Sequence, residues 1–526
     1  MAPPNWPQLI LEGGFTAGPP VQTGAFTLND AAYGLLDTGT LGTGTAWTGL
    51  TAWLRSGTVT RPANRQQGPL WAYQQGTLSA AFANGDGRFD PDNTAGPYAG
   101  ALTAMVPVRL RATWASVTYP LFAGFADAWQ DDGANRGPRY AETTLAASDG
   151  QKILSGVHIP PAAAAGAGEL TGARITRILN AAGWYTGTGQ RVIAPGDSPV
   201  QATTMGDTAW SLMTTTADSE IGEVYLDGAG RVIFRNRHAI LQDARSTTPQ
   251  LVLGDQIGNP QAAGTEQAYV LLPRNRDDST LANDVQATRV GGGAVLQQAT
   301  DSASVAKYLF ARSYARSDLI LADDATTLSW AQWVLYVSKG DEDRFDTVTV
   351  NPLRDPANLW PQVLGREIGD RIQVWRRPPG VIPTATPWTI TSTGDTLGPS
   401  YIPVTTADAA KVAIGDQFQL YTSAGAPKDA GQWPLEVVAL PAPFLGIVNV
   451  TFDKTLLTWV NNADVAVQTG GALVKDAFIR GITHTFDVAA GTWATTWTLQ
   501  DASKYGSFWT LDQALLGRLD YNGLAF

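Results

Sequence analysis

The stretch LSAAFANGDGRFDPDNTAGP, residues 78–97, contains the pattern that decides the fold of this chain. It begins as a short apolar run and continues as a loop rich in Gly, Asn, Asp and Pro. Short apolar runs separated by such turn residues are typical of β-strands. The same pattern returns at VPVRLRATW (106–114) and YPLFAGFADAW (119–129). Residues 1–150 are therefore predicted to form a β-domain.

A different pattern follows between residues 151 and 250, where helices precede a hairpin. The first helix is expected to be capped by Thr171 and to stop at Gly183. A second helix is predicted over residues 209–220, and the hairpin after it turns at Asp227, in an Asp-Gly pair. Residues 151–250 are therefore predicted to form an α+β domain.

The remainder of the chain is again mostly β in character. Residues 391–474 contain short strands between turns and look like a compact inserted β-domain. The segments 478–487 and 492–501 alternate apolar and polar residues and predict two strands joined by a short turn. We therefore expect a second β-domain in residues 251–390, completed by residues 475–526.

The composition fits a protein that is mostly sheet and has partners. Gly 55 and Pro 32 favour many turns, and 44% hydrophobic residues are ample for several cores. Only 16% of the residues are charged, below the usual quarter, so uncharged polar residues or neighbouring subunits must cover much of the surface. The 18 Trp residues point the same way, because such side chains are enriched at interfaces.

Charge and cysteine content exclude several function classes. The net charge of −11 argues against tight binding of nucleic acid and is compatible with a conduit through which DNA passes. The absence of Cys excludes disulfides, thiolate nucleophiles and Cys-ligated zinc. The N-terminus lacks a basic signal-peptide region, and no apolar stretch is long enough to span a membrane. Synthesis in the cytoplasm is expected.

Histidines are the first candidates for catalysis. The chain has His158, His238 and His484, each without an obvious partner nearby in sequence. No HExxH zinc motif and no GxSxG elbow occurs, although a Ser-His-Asp arrangement could still assemble in space. We interpret all three histidines as structural.

Acidic clusters are the second candidates, because glycosidases use two carboxyl groups across a sugar. They occur at Asp131–Asp132, Asp323–Asp324 and Asp341–Glu342–Asp343. Their Gly- and Ser-rich surroundings favour solvated turns. The loop at 84–93 resembles a calcium loop but has Phe82 and Asn93 where oxygen ligands, the last a Glu, are required, so we interpret it as a rigid turn.

Aromatic and glycine patterns complete the search for a site. Trp493 and Trp497 are predicted on one face of a strand, where packing or a subunit contact is favoured over sugar stacking. The sets GTGT (42–45) and GTG (187–189) lack the remaining glycine of a phosphate loop and are interpreted as turns. No catalytic, cofactor-binding or metal-binding residue is assigned, and no cofactor is expected.

Taken in order, three segments resemble one family, the minor tail or tail-tip baseplate hub proteins of long-tailed, siphovirus-type phages of actinobacteria. The first is residues 48–98, where the motif residues are Asn84, Asp86, Gly87, Phe89, Asp90, Pro91, Pro97 and Tyr98. The second is the helix–helix–hairpin of residues 173–237. The third is residues 350–378, continued at 478–501. In relatives these last two pieces lie close together, whereas here residues 391–474 intervene.

The resemblance implies a multidomain, mainly β hub with two barrel-like β-domains, an α+β domain and the inserted small β-domain. It implies a homotrimeric, non-enzymatic virion protein at the tail tip, assembled in the bacterial host cytoplasm. Its expected partners are the distal tail protein or tail tube, the C-terminus of the tape-measure protein, and tail fibres or a central spike. Phage DNA would pass without specific binding, and no membrane-spanning segment is expected.

Two alternatives remain open from the sequence. One is a distal tail ring protein, which is typically hexameric. The other is a cell-wall hydrolase or carbohydrate-binding module, for which residues 391–474 are the place. If the chain forms a trimeric channel, its wall is expected to be acidic. The candidate wall residues are Asp127, Asp341, Asp343 and Asp370, and the arginines expected to pair across subunit contacts are Arg109, Arg111 and Arg371.

Overall fold

The structure of the 526-residue chain is a computed structural model. It describes residues 5–15, 47–65, 69–131, 140–185, 189–255, 266–376, 388–389, 401–410, 414–421, 435–443, 446–452, 465–470, 473–505, 508–509 and 523–524. Two compact units are present. Unit 1 comprises Met1–Leu251, Tyr269–Ile372 and Asp476–Phe526, and unit 2 comprises Val252–Ala268 and Gln373–Lys475. The four-domain organisation expected from the sequence stays a prediction.

The N-terminal part of unit 1 is a broad antiparallel sheet. Its strands and a small accessory pair are β1 (Gln8–Gly13), β2 (Thr48–Gly49), β3 (Leu54–Arg61), β4 (Ala63–Asn64), β5 (Ala72–Tyr73), β6 (Thr77–Ala83), β7 (Pro107–Trp114), β8 (Val117–Asp131) and β9 (Glu142–Asp149). In the large sheet the order is β3-β6-β9-β8-β7-β1-β2. Alternate residues of β6, such as Leu78 and Phe82, are buried, as a strand with one face on the core requires. The strands predicted here are confirmed.

Residues 151–247 form a module of helices and a small sheet, also in unit 1. Its elements are α1 (Gln151–Gly156), α2 (Thr171–Ala181), β10 (Arg191–Ile193), α3 (Ala209–Glu220), β11 (Glu223–Leu226), β12 (Val232–Arg235), α4 (Arg237–Gln242) and α5 (Ala244–Thr247). The helix–helix–hairpin prediction is confirmed, and Ile175, Leu179 and Met213 lie in its core. The parallel pairing of β10 with β12 was not predicted.

The start of α2 differs from the prediction. Leu170 occupies the cap position and Thr171 is the first helical residue, so the prediction that Thr171 caps the helix is wrong. Its hydroxyl instead donates to Oε2 of Glu220, at the end of α3. A cap needs extended backbone before the helix, and Leu170 provides it with ψ 155°. The helix ends as expected before Gly183, which has φ +68°.

Residues 252–376 contribute a second group of elements. These are β13 (Val252–Gly254), β14 (Gln267–Ala268), β15 (Arg274–Asp277), β16 (Asp284–Arg289), β17 (Gln297–Thr300), α6 (Ser302–Tyr308), β18 (Ser313–Leu319), α7 (Asp324–Ser338), β19 (Glu342–Phe345), β20 (Thr347–Val350), α8 (Pro356–Gly365) and β21 (Arg371–Arg376). In unit 1, α7 packs on the sheet β17-β16-β18 and buries Val285, Leu319 and Trp330. In unit 2, β13 pairs in parallel with β14 and β21.

Residues 388–470 form a six-stranded antiparallel sheet inside unit 2. Its elements are β22 (Trp388–Thr389), β23 (Tyr401–Thr405), α9 (Thr406–Ala409), β24 (Gln417–Tyr421), β25 (Leu435–Ala439), β26 (Ile447–Phe452) and β27 (Val465–Gly470). The strand order is β22-β27-β24-β25-β26-β23. Phe418 and Phe452 meet edge to face, with ring centroids 5.6 Å apart. The short strands expected for this segment are therefore present.

The C-terminal strands return to the N-terminal sheet. They are β28 (Leu473–Asp487), β29 (Thr492–Asp501), β30 (Phe508–Trp509) and β31 (Gly523–Leu524). β28 pairs with β29 along a predicted hairpin, and its residues 482–487 pair with residues 56–61 of β3. β20 adds to the far side of β29. The large sheet therefore combines strands from both ends of the chain.

The fold is mainly β with an α+β module, as the sequence predicted. Barrel closure is not confirmed, because each sheet formed by the described residues is open. None of the helices in those residues is long and apolar enough to cross a membrane.

Candidate functional site

The loop that follows β6 is closed by its own side chains and by one buried ring. Phe89 is fully buried and stacks on Phe82, with ring centroids 4.6 Å apart, and on Trp129. The Oδ1 atom of Asn84 accepts from the backbone N–H of Phe89 at 2.9 Å, and its Nδ2 donates to Thr143 at 2.8 Å. The Asn84 hydrogen bonds and the buried Phe89 ring therefore hold the loop against the core of the sheet.

The remaining polar side chains of this loop bond within it. Asp86 holds Arg88, whose guanidinium lies 3.9 Å from the centre of the Trp53 ring. Asp90 accepts from the backbone of Asp92, and Asn93 donates to the carbonyl of Gly87. This arrangement confirms the rigid turn. In the ranges that the structure describes, no group of three or more His, Asp or Glu side chains could hold a metal ion.

A buried ion pair joins the α+β module to the C-terminal strand of the large sheet. The Arg480 guanidinium in β28 bonds Oε1 of Glu223 in β11, and the two side chains are only 2% and 6% exposed. Arg480 also donates to Gln500 at 2.6 Å and to the hydroxyl of Tyr73 at 3.2 Å. One guanidinium therefore connects three regions that are far apart in sequence.

The other oxygen of Glu223 faces a second arginine. Arg235 in β12 lies 3.5 Å from Oε2 of Glu223 and also donates to the hydroxyl of Ser246. That hydroxyl donates in turn to the carbonyl of Gly369 at 3.0 Å. The Tyr225 hydroxyl donates to the neighbouring carbonyl of Ile368 at 3.1 Å. The hairpin of the module is thus bonded to the turn before β21.

The same turn is held by two further ion pairs. Arg61 of β3 bonds Glu367 at 2.5 Å, and Arg245 of α5 bonds Asp370 at 2.6 Å. Asp370 is 1% exposed and also lies 3.5 Å from Arg366. Buried charges persist only when they are paired and hydrogen-bonded, so these contacts favour one orientation of the α+β module on the large sheet. We call the contacts of Arg480, Glu223, Arg235, Arg61, Glu367, Arg245 and Asp370 the charged junction.

A buried carboxyl lies at the base of the module beside the charged junction. Glu220 accepts from the backbone N–H groups of Asp197 and Arg237 at 3.1–3.3 Å and from the hydroxyl of Thr171. Burial raises the pKa of the Glu220 carboxyl to about 7, and the negative charge of Asp197 acts in the same direction. His238 binds the other side of Asp197, with Nδ1 3.0 Å from Oδ1.

The histidines do not meet one another. His484 is 2% exposed, and its Nδ1 lies 2.9 Å from the Thr495 hydroxyl. Burial, with the nearby charge of Arg61, lowers the pKa of His484 to about 3, so its ring is neutral. His158 forms an isolated backbone bridge with Thr208. Thr495 faces His484 across the predicted hairpin, so strand register could have identified that pair, whereas Asp197 is far from His238 in sequence and no local pattern joins them.

The acidic clusters differ from one another in what they contact. Asp323 caps α7 and Asp324 bonds Arg289 at 2.7 Å, whereas Asp132 lies outside the described residues. The third cluster is not a solvated turn, and that interpretation is wrong. Glu342 and Asp343 lie in β19, where Glu342 is 6% exposed and bonds Arg65 at 2.8 Å. Arg65 pairs with Glu342, Arg274 with Asp343 and Lys307 with Asp341, and the local Gly and Ser could not reveal these partners.

The tryptophans on β29 belong to the core. Trp493 and Trp497 are 2% and 0% exposed, which confirms packing over sugar stacking. Trp493 packs edge to face on Trp360, whose indole N–H donates to the carbonyl of Asn5 at 2.8 Å. Of the two glycine sets, residues 42–45 and most of 187–189 lie outside the described residues, and Gly189 lies in a turn.

The expected channel residues are mostly engaged within the chain. Asp370 is buried in the charged junction, so the prediction that it faces a channel is wrong. The predicted intersubunit arginines also find partners in their own chain. Arg109 and Arg111 both bond Glu12, at 2.6 and 2.7 Å, and Arg371 bonds Asp476. Strand pairing brings these charges together, and no local sequence pattern indicates the pairing.

Comparisons with known proteins give structural likeness alone. No protein-family model matches the chain, and no curated protein matches it. The tail protein from Neisseria meningitidis MC58 is 10% identical, with 88% of this chain and 96% of that chain covered and a TM-score of 0.48. The 43 kDa tail protein of prophage MuSo2 from Shewanella oneidensis is 10% identical, with 88% and 97% covered and a TM-score of 0.40.

A third similar structure is the Escherichia coli c3393 protein. It is described as a component of the type VI secretion system with structural similarity to the T4 bacteriophage tail proteins gp27 and gp5. It is 8% identical, with 88% of this chain and 77% of that chain covered and a TM-score of 0.35. These three solved structures are thus two phage or phage-like tail proteins and a component of a type VI secretion system. At these identities and TM-scores they carry no argument about function.

Proposed function

We propose that the chain is the structural hub protein of a phage tail tip. In this role it connects the tail tube or distal tail ring to the receptor-binding apparatus and forms the closed end of the DNA conduit. We further propose two barrel-like β-domains per subunit, completed on assembly as a homotrimer. The tape-measure C-terminus and a fibre or spike are the proposed partners, and siphovirus-type actinobacterial phages are the proposed source.

The charged junction is the observation that carries this proposal. The three segments that resemble hub proteins meet there: Tyr73 belongs to the first, Glu223 to the second and Arg480 to the third. Arg61 and Glu367 join the first segment to the third again. The three segments resemble hub proteins separately in sequence, and the folded chain brings them into contact. This contact supports a hub architecture more strongly than the three separate resemblances do.

The engagement of the polar groups supports an architectural role. Among the acids considered as catalytic candidates, Glu342 and Asp324 bond arginines and Asp323 bonds a backbone N–H. The two partnered histidines bond Asp197 and Thr495. The inserted sheet of residues 388–470 and the α+β module both interrupt strands of the large sheet in sequence. A sheet that carries such insertions is suited to display several binding surfaces.

The mass of the purified assembly tests the proposal. Native mass spectrometry should give three times the 55.8 kDa mass of the chain. A mass of six chains would instead favour the distal tail ring protein as the function of this chain. Release of reducing sugar or wall peptide from host cell walls, abolished by substitution of one carboxylate, would contradict the architectural role itself.

A further inference from the structure

A cleft opens in unit 1 beside the charged junction. It lies between the segment Pro69–Trp71, the start of α4 and helix α7, and it is partly open to solvent. Leu70, Ile240 and Trp333 contribute apolar walls. A smaller cleft lined by Arg65 adjoins it and shares Pro69, Val337, Gln500 and Tyr505.

The cleft contains hydrogen-bond donors that have no acceptor. Among the described residues, Nε1 of Trp71 and Nε of Arg237 are buried and have no hydrogen-bond partner, and the same holds for Nε of Arg65 in the smaller cleft. In the described part of the chain no carboxylate lies within ion-pair distance of the Arg237 guanidinium. Glu220 bonds the backbone N–H of Arg237 and attracts the side chain only from a distance.

These donors define the chemistry of an occupant. A buried donor without an acceptor costs about 1–3 kcal/mol, so the site gains when a ligand brings oxygen atoms. The planar fork of an arginine matches a carboxylate, and the apolar walls with two indole rings match an apolar side chain. Asp218 and Glu223 also line the cleft, but they already pair with Arg316 and Arg480, which leaves the Arg237 guanidinium to receive one carboxylate. A single carboxylate on an apolar peptide fits best.

We propose that this cleft docks a peptide segment of a partner protein in which a carboxylate adjoins an apolar side chain. The carboxylate accepts from Arg237, a carbonyl oxygen accepts from the indole N–H of Trp71, and the apolar side chain lies among Leu70, Ile240 and Trp333. The assignment goes beyond the proposed hub role and does not depend on it, because it needs only the cleft.

Binding of a defined peptide pair to the full-length protein tests this docking site. The probes are acetyl-Gly-Leu-Glu-Gly-amide and its Gln counterpart, titrated by saturation-transfer NMR. We expect the Glu peptide to bind with a Kd on the order of a millimolar and the Gln peptide roughly five-fold more weakly, because only a carboxylate pairs with the guanidinium. Equal binding of the two peptides, or no binding of either, would mean that water satisfies the donors and would overturn the proposal.

Two variants assign the effect to the cleft. Arg237→Gln should abolish the preference for the Glu peptide, and Trp71→Phe should weaken its binding about two- to three-fold. Arg276→Gln is the matched control, because Arg276 is 70% exposed and lies outside the cleft, and it should bind like the natural chain. A preference retained in Arg237→Gln contradicts the proposal.

The melting temperature separates docking from a purely structural role. Trp71→Phe removes an N–H that bonds no group in the described residues, so the melting temperature should not fall. If Trp71→Phe lowers the melting temperature while the peptide preference is unaltered, the residue supports the fold alone and the docking site is wrong. The mass of the assembly tests the hub proposal independently, so a failure of the docking site does not decide the hub proposal.

Discussion

Single side chains close the loops of this protein from inside. The Asn84 side chain forms two hydrogen bonds at once: its oxygen accepts from the backbone N–H of Phe89, and its nitrogen donates to the hydroxyl of Thr143. This bonding places the Phe89 ring in the core, where it stacks with Phe82 and Trp129. The motif residues of the loop therefore serve packing and self-bonding.

Substitution of Phe89 measures that packing. Phe89→Ala should destabilise unit 1 by about 3–5 kcal/mol, because a fully buried ring is lost and a cavity remains. Urea unfolding followed by tryptophan fluorescence gives the value. Phe310→Ala is the control: its ring is 74% exposed, so a change below about 0.5 kcal/mol is expected. A similar loss in the free energy of unfolding for the two variants would show that the Phe89 ring does not stabilise the core.

The raised pKa of Glu220 predicts a pH dependence of stability. The pKa of Glu220 is about 7 in the folded chain, against an ordinary value of 4.5. Between pH 4.5 and about 7 the folded state therefore keeps a proton that the unfolded state loses. The free energy of unfolding should therefore fall by roughly 3 kcal/mol as pH rises from about 4.5 to 7, and the contribution of Glu220 should be constant above that range. Burial raises the pKa of Asp149 in the same direction, also to about 7.

Glu220→Gln separates this contribution from the others. The amide oxygen can still accept from Asp197 and Arg237, and the amide group can donate to the Thr171 hydroxyl. The variant should match the natural chain at pH 5 and exceed its stability at pH 8, as measured by urea titration at both values. Identical pH profiles for the two chains would show that another group, such as Asp149, causes the dependence.

Among the elements, β28 connects the largest number of distant segments. It pairs with β3 and β29, and through Arg480 it bonds the hairpin of the α+β module. The module is thus held by side-chain charges on a strand that is itself fixed by backbone pairing. Its orientation depends on a few buried groups.

Breaking the Arg480–Glu223 pair should be costly. Arg480→Met leaves the Glu223 carboxylate buried beside Arg235 alone, and about 3–5 kcal/mol of stability should be lost. The double variant Arg480→Met/Glu223→Gln should recover part of that loss, which a thermal double-mutant cycle measures. The Arg312–Asp278 pair is the control, because it is 46% and 55% exposed and should contribute below about 1 kcal/mol. Additive single and double losses would argue against a coupled junction.

At the scale of the whole molecule, the chain leaves and re-enters the large sheet. Strands before Gly150 and strands after Leu473 share that sheet, while the six-stranded sheet of residues 388–470 has its own pairing and its own core around Phe418 and Phe452. Such separate pairing suggests that the inserted segment can be removed.

Deletion of residues 391–474 with a short linker should leave a folded protein that still assembles. The deletion removes Leu473 and Val474 from the start of β28, but the pairing of β28 with β29 begins at Ala477, its pairing with β3 begins at Ile482, and the charged junction lies outside the deleted range. Circular dichroism and light scattering report folding and mass. As a control, deletion of β29 (Thr492–Asp501) should prevent folding, because β20 and β28 both lose a partner. An insoluble or monomeric 391–474 deletion would place that segment in the hub core.

Local patterns determined the strands, the helix–helix–hairpin and the turn-rich loop. Strand alternation, helical spacing and Gly or Asp turns are properties of neighbouring residues, so the sequence of residues 78–97 or 209–237 is enough to predict them. The composition likewise predicted a mostly β chain. For Trp493 and Trp497 the sequence favoured packing or a subunit contact, and both lie in the core.

Only the tertiary structure decided how the charges pair. Glu342 meets Arg65, Asp370 meets Arg245 and Thr171 meets Glu220 across separations of many residues, and each of these differs from what the local sequence suggested. The open edges of the sheets and the donor-lined cleft were equally invisible in the sequence. An ion pair or a cleft depends on the distance between elements, and folding sets that distance through the packing of the whole core, which no local window contains.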